Sequence, residues 1–230
     1  MQNQQLRIII KRSQPDHIMS LLKKGEIYMN TYDFFRDCDK NTDRTDPDEG
    51  LVYREYMKDA EITLYDINKD IEKDGITMKS INLRINSFGS QKGNIYSMSG
   101  LTSEHINGSS ENININISKF GEALIIIHNP RVFIERVVNG LKQIGFTNVS
   151  FRKVTYYENE YTGELNIFHK NKFFQHQNEF RLYVPNTDNV PIKFEIGNLE
   201  DIAEAFTGGN VLKLTLTDGE EKYVYLPCNS

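Results

Sequence analysis

Short runs of β-branched and aromatic residues succeed one another along this chain with few helical periods between them, and that order limits the fold more than any other feature. Leu6–Lys11 (LRIIIK), Glu26–Thr31, Leu51–Tyr56, Glu61–Leu64, Ser80–Ile85 and Tyr96–Ser99 all have strand character. Asn112–Ile117 (NININI) alternates strictly, as a strand with one wet face does, and Glu122–His128 (EALIIIH) is the most apolar run and a candidate central strand. Ser150–Tyr156, Glu179–Val184 and Ile192–Ile196 follow, and Val211–Thr217 with Lys222–Leu226 reads as a hairpin across Asp218–Gly219.

Helical signals are fewer. Pro15 opens a segment in which Ile18, Leu21 and Leu22 recur at helical spacing before Gly25, and Tyr32–Arg36 reads as one turn presenting Phe34 and Phe35. The clearest helix begins at Asn129-Pro130, with Phe133, Val137, Leu141 and Ile144 along one face. Asn198 and Gly208-Gly209 bracket another over Leu199–Phe206. Strands outnumber helices and are not regularly separated by them, so the expected class is α+β, with a mixed, mostly antiparallel sheet and a few flanking helices. No Pro/Gly/Ser linker divides the chain, and residues 1–230 read as one domain.

Composition narrows the function classes. The net charge is −5, from 27 Lys/Arg against 32 Asp/Glu, with no long basic block, which argues against nucleic-acid packaging. No apolar run approaches the roughly 18 residues a membrane span needs, and Met1–Gln5 is polar, so neither membrane insertion nor secretion is expected. Cys38 and Cys228 lack local partners and supply neither a disulfide framework nor a zinc site; the expected setting is the cytoplasm. The chain has no phosphate-cradling glycine loop, dinucleotide fingerprint or His-Glu-x-x-His helix.

Three places carry residues fit for chemistry. His169 and His176 would share a face if they lay on a helix, with Glu179 as a third group, although two half-exposed histidines explain that spacing more simply. In the Asp37–Glu49 loop, Asp37, Asp39, Asn41 and Asp43 alternate like the first half of a calcium loop. Thr42 stands where glycine is needed and Asp48 where a bidentate Glu is, so a solvated loop is favoured and no metal is expected. Arg44, Asp46 and Glu49 either fix the loop's shape or, through Arg44, face a phosphate; with a third carboxylate, Asp46 and Glu49 would suit metal-dependent phosphodiester cleavage. The third place is Phe173–Arg181. If Phe180, Leu182 and Val184 face the core, the two-residue period sets Gln177, Glu179 and Arg181 in a row on the other face, a carboxylate between two hydrogen-bonding groups that suits a ribose. The competing reading is a surface strand bearing a Glu–Arg pair.

The segments IIIKRSQPDHIMSLLKKGEIYMNTYDFFRD, RTDPDEG, IYSMSGLT, VTYY and KFFQHQNEFRLYV occur in an order that resembles a group of uncharacterised bacterial and phage-associated proteins. That group closes on a Lys-x-x-x-(Phe/Tyr)-x-x-(Gln/Glu)-x-Glu-(Phe/Tyr)-Arg pattern, and the likeness runs to about Val184. More distantly the arrangement is similar to the ADP-ribosyltransferase fold, whose first strand usually carries a His-Gly-Thr or an Arg that Lys11-Arg12-Ser13 replaces here. The resemblance implies NAD as substrate, a role in bacteria–phage conflict as a toxin or effector, and a protein or nucleic-acid acceptor. It places Lys11 or Arg12 at the cofactor, Tyr28 or Ser97 on the nicotinamide side, Arg12 or Arg44 at the pyrophosphate and Glu179 in catalysis, beside Gln177 and Arg181. The alternative is a non-catalytic recognition or inhibitor module that binds a nucleotide or a protein.

Overall fold

The computed structural model describes residues 5–37, 46–66, 75–108 and 112–228. β1 (Leu6–Ser13) is buried on both faces, with Ile9 in one core and Ile10 in the other. α1 (Pro15–Lys24) begins on its proline and ends at Gly25, whose φ of 64° lies in the left-handed region; a Cβ there would meet the Gly197 carbonyl oxygen at 2.3 Å. β2 (Glu26–Thr31) and the short α2 (Tyr32–Asp37) follow. A long ribbon of β3 (Leu51–Leu64) and β4 (Ile76–Phe88) leads to β5 (Asn94–Thr102), α3 (Ser103–Gly108) and β6 (Ile113–Asn114). The apolar run of the sequence is β7 (Ala123–Ile127), and α4 (Pro130–Gln143) starts where Asn129 accepts the Val132 amide at 3.3 Å.

β8 (Ser150–Lys153), β9 (Thr155–Tyr157), β10 (Gly163–Glu164) and β11 (His169–Asn171) are short. A 3-10 turn over Lys172–Gln177 delivers the chain to β12 (Glu179–Val184), and β13 (Ile192–Glu195), β14 (Ala203–Thr207), β15 (Asn210–Thr215) and β16 (Glu221–Leu226) complete it. The fold is α+β and its sheets are mostly antiparallel; the β9/β11 and β6/β16 pairs run parallel.

The main sheet runs β13-β2-β5-β1-β7-β14, with β12 on β5 and β8 on β12. Phe133, Val137 and Leu141 of α4 and Ile18, Leu21 and Leu22 of α1 cover one face, together with Leu182 and Val184. Val224 and Leu226 of β16 and Ile106 of α3 cover the other around Ile10, Leu101 and Leu124. No helix among the described residues is long and apolar enough to cross a membrane.

Two expectations are corrected. Leu199–Phe206 is not a helix: Asn198 accepts the Glu200 amide in a turn, and Ala203–Thr207 then pairs residue for residue with Ile127–Ala123 of β7. The strongly apolar β7 needs a partner on each edge, and β14 supplies the second. NININI keeps only Ile113–Asn114 in a strand, with Ile115 and Ile117 buried beyond it.

Candidate functional site

The main sheet is split. On one edge of β5, Asn94 and Ile95 pair with β2 and Ser99–Thr102 pair with β1, while Tyr96–Met98 have neither as a neighbour. β1 and β2 thus peel away from a shared strand. Lys11 reaches across the opening and donates to the Ser97 carbonyl oxygen at 2.7 Å, with its ammonium 4.5 Å from the centre of the Tyr96 ring. Beneath this split lies a cavity of about 510 Å³.

Its charged wall is built by strand pairing. β12 lies antiparallel on the other edge of β5 with Glu179 opposite Ser99 and Arg181 opposite Ser97, so these four side chains share one face. Leu182 and Val184 pack in the opposite core, and the two-residue period of Glu179–Val184 holds. The expected open wall is corrected in one respect: every residue of β12 is buried, because β8, β5 and two cores surround it. A surface Glu–Arg pair is thereby excluded.

Glu179 accepts from Arg181 Nε at 2.7 Å on one carboxylate oxygen and from Lys170 Nζ at 2.9 Å on the other. Lys170 also donates to Gln177 Oε1 at 2.9 Å and lies 4.7 Å from the Phe174 ring centre. Arg181 turns its two terminal nitrogens onto Glu49, both at 2.8 Å, in a bidentate pair. Burial alone would raise the Glu179 carboxyl, but Arg181 and then Lys170 reverse this and hold it well below the usual carboxylate range. Burial pulls Lys11 down to about 8 against the opposing pull of Glu179.

The loop that brings Glu49 here is shaped by its own acids. Asp46 accepts the Asp48 amide at 2.9 Å, Gly50 takes a φ of 97°, and Asp48 is gripped by Arg54 at 2.7 Å and the Tyr157 hydroxyl at 3.0 Å. Asp46 and Glu49 both line the cavity, so the loop's shape and the site depend on the same residues. Burial, with Glu49 adding to it, pushes the Asp46 carboxyl up to about 6. Between about pH 4 and 6 the folded protein keeps a proton that the unfolded chain releases, so Asp46 makes stability fall as pH rises through that window, by up to about 3 kcal/mol. Glu179 acts oppositely, its contribution being lost as pH falls below the ordinary carboxylate pKa. Urea unfolding across pH 4–7 should show the Asp46 slope, and Asp46→Asn should abolish it; an unchanged slope in that variant would refute the assignment.

The structure brings together Lys11, Ser97, Gln177, Glu179 and Arg181, all lining one cavity. Arg12 also borders it, but its guanidinium donates at 3.3 Å to the carbonyl oxygens of Gly121, Gly208 and Leu226, which makes it a tie between segments. Tyr28 is half-exposed in a neighbouring cavity of about 540 Å³ that shares Lys11, Ser13, Phe34, Phe35 and Ile95 with the first. Arg44 and most of the calcium-like loop lie outside the described residues. His169 and His176 do not share a helix, since His169 lies in β11 and His176 in the 3-10 turn; His169 Nδ1 accepts the Asn166 amide at 3.1 Å, and His176 Nδ1 lies 3.0 Å from the Phe173 carbonyl oxygen.

Lys170 and Ser99 were not singled out by the sequence. Ser99 donates to the Gln177 carbonyl oxygen at 2.6 Å and fixes the entry to β12. A signal for Lys170 existed: counted back from Glu179-Phe180-Arg181, the leading lysine of the closing pattern falls on residue 170. No protein-family model, curated protein or solved structure matches this chain, so the reading of the cleft rests on its own geometry.

Proposed function

We propose that the cleft binds a ribosyl dinucleotide and that the protein is an NAD-consuming, ADP-ribosyltransferase-like enzyme with Glu179 as its catalytic residue. The observation that carries this reading is the ionised, buried Glu179 on the wall of a cavity bordered also by Lys11 and Ser97, at the place where the sheet divides. Each Glu179 oxygen accepts one charged donor and retains a lone pair, so the carboxylate can also accept from a ribose hydroxyl.

In the reaction the bond between nicotinamide nitrogen and ribose C1′ breaks, and its electron pair leaves with the nicotinamide. The sugar gains positive charge, and a carboxylate held on its hydroxyls strengthens its contact as that charge grows. An acceptor oxygen or nitrogen then bonds C1′ and releases a proton, or water does so and gives free ADP-ribose. Lys11 would face the anionic part of the ligand as a cation that loses its charge at about pH 8. Phe34, Phe35 and Phe120 supply apolar wall for a planar ring.

The test is release of nicotinamide from NAD by the purified protein, alone and with cell lysate or DNA. Glu179→Gln keeps the shape of the side chain and should lower turnover by about a hundredfold or more, the scale of a lost charge contact in a transition state. Circular dichroism would show that the variant is folded. Undiminished turnover in Glu179→Gln would sink the mechanism. Absence of turnover with every acceptor, combined with saturable NAD binding, would favour the recognition-module reading.

A further inference from the structure

The split in the main sheet holds two lobes, and only the first contains Glu179. The second, the cavity of about 540 Å³, lies where β1 and β2 part, beside Tyr96, a residue of β5 at which neither strand is a neighbour. β2 turns Glu26, Tyr28 and Asn30 into it, while the alternate residues Ile27, Met29 and Thr31 are buried in the fold. Ile18 and Leu21 of α1 add aliphatic wall. Tyr28 stands there 52% exposed between two neighbours that are wholly inaccessible, so a large ring is left half bare on a concave surface.

The two lobes differ in chemistry and meet at a cation. The first carries the ion network of Glu49, Lys170, Glu179 and Arg181. In the second, Glu26 is paired with Lys193 at 3.0 Å, and rings and aliphatic carbons make up most of the rest. Lys11, Ser13, Phe34, Phe35 and Ile95 line both lobes, and Lys11 alone of these is charged. Its ammonium has three donors and, among the described residues, directs one of them to the Ser97 carbonyl oxygen. Each lobe is of a size that takes a small molecule, and Phe34 and Phe35 offer ring surface to both. A cation at the waist of two ring-walled chambers suits a ligand with a planar ring at each end and an anion between them, which describes a dinucleotide.

We infer that the second lobe binds the adenosine half of the dinucleotide, with its base stacked on Tyr28 and its pyrophosphate at Lys11. The order of the halves rests on the function proposed above: the ribose that reacts sits at Glu179, so the nicotinamide half fills the first lobe and the phosphates lead past Lys11 into the second. The resemblance put Tyr28 on the nicotinamide side; this reading moves it to the other end of the ligand. Asn30 shares the face of β2 that carries Tyr28, and its Oδ1 accepts the Thr31 amide at 2.9 Å. That leaves its side-chain NH2 group to donate to a ring nitrogen of the base.

Isothermal titration calorimetry on the full chain, with the two halves of the ligand as separate probes, tests this. ADP carries the adenosine and the pyrophosphate, and nicotinamide mononucleotide carries the other end. Tyr28→Ala should weaken ADP binding by about tenfold or more, the scale of a lost base–ring stack, and leave the mononucleotide unaffected. Tyr28→Phe keeps the ring and should bind ADP as the native chain does; circular dichroism would show that both variants are folded. ADP binding indifferent to Tyr28→Ala, an equal loss of both probes in that variant, or no ADP binding by the native chain at millimolar concentration would overturn the proposal. The enzyme reading fails separately. ADP held through Tyr28 without release of nicotinamide from NAD keeps the lobe and removes the reaction, whereas nicotinamide release with ADP binding blind to Tyr28 does the reverse.

Discussion

Arg181→Met is expected to lower the stability of the protein by about 3–5 kcal/mol, the cost of removing one partner from a buried ion network. Among the described residues Arg181 alone bonds both Glu49, at 2.8 Å twice, and Glu179, at 2.7 Å, and all three are nearly inaccessible. Without it, Glu49 loses its bidentate partner and Glu179 keeps only Lys170. The carboxylates cannot be rehydrated without opening the wall of the cavity. Urea unfolding would measure the loss. Adding Glu49→Gln to Arg181→Met should return part of it, since the second change removes a charge the first left bare, and this non-additivity marks the network. By contrast the exposed Arg131–Glu135 pair on α4 is screened by water and contributes little. A loss of that small size for Arg181→Met would show that the buried network adds nothing.

Arg12→Met is expected to cost about 3 kcal/mol or more, and to do so through stability and not through ligand affinity. The guanidinium serves carbonyl oxygens of three separate segments, at Gly121, Gly208 and Leu226; Gly208 also accepts from Asn210 at 3.1 Å, and a buried carbonyl left without a donor costs about 1–3 kcal/mol. Arg12→Lys should recover little, because a point ammonium cannot span three acceptors as a planar fork does. The opposite outcome, a stable Arg12→Met protein with weakened nucleotide binding, would return Arg12 to the ligand.

The contrast between Arg12 and Lys11 shows what the sequence could and could not convey. Adjacent in the chain, they differ in everything that decides their roles: the acceptors of Arg12 lie 109 to 214 residues away, and Lys11 meets a carbonyl 86 residues away. Nothing local distinguishes them. Where the information is local, it was legible. The Asn129-Pro130 start of α4, the Gly25 end of α1 and the alternation of Glu179–Val184 all depend on near neighbours and appear as read.

Leu199–Phe206 misled for a related reason. Leu199, Ile202, Ala203 and Phe206 fall at helical spacing, but the free edge of β7 captured the second half of the segment, and that edge is created by residues far upstream. Leu51–Tyr56 and Glu61–Leu64 read as two strands because the bulged residues between them break the alternation; the ladder with β4 carries one strand straight through. The candidate site was half legible. The face of β12 announced Glu179 and Arg181, whereas the pairing of Glu49 and Lys170 with them is made only when a loop and β11 fold onto that face.

The split edge of β5 also sets a timetable. The pieces of the cleft come from β1, from the turn before β3, from β5 and from β12, so a growing polypeptide holds Lys11, Asp46, Glu49 and Ser97 but lacks Glu179 until β12 has been made. Such late, sequence-distant closure is slow. On the proposed function, a cleft that consumed a common cellular dinucleotide would stay inert until that strand had been made and paired.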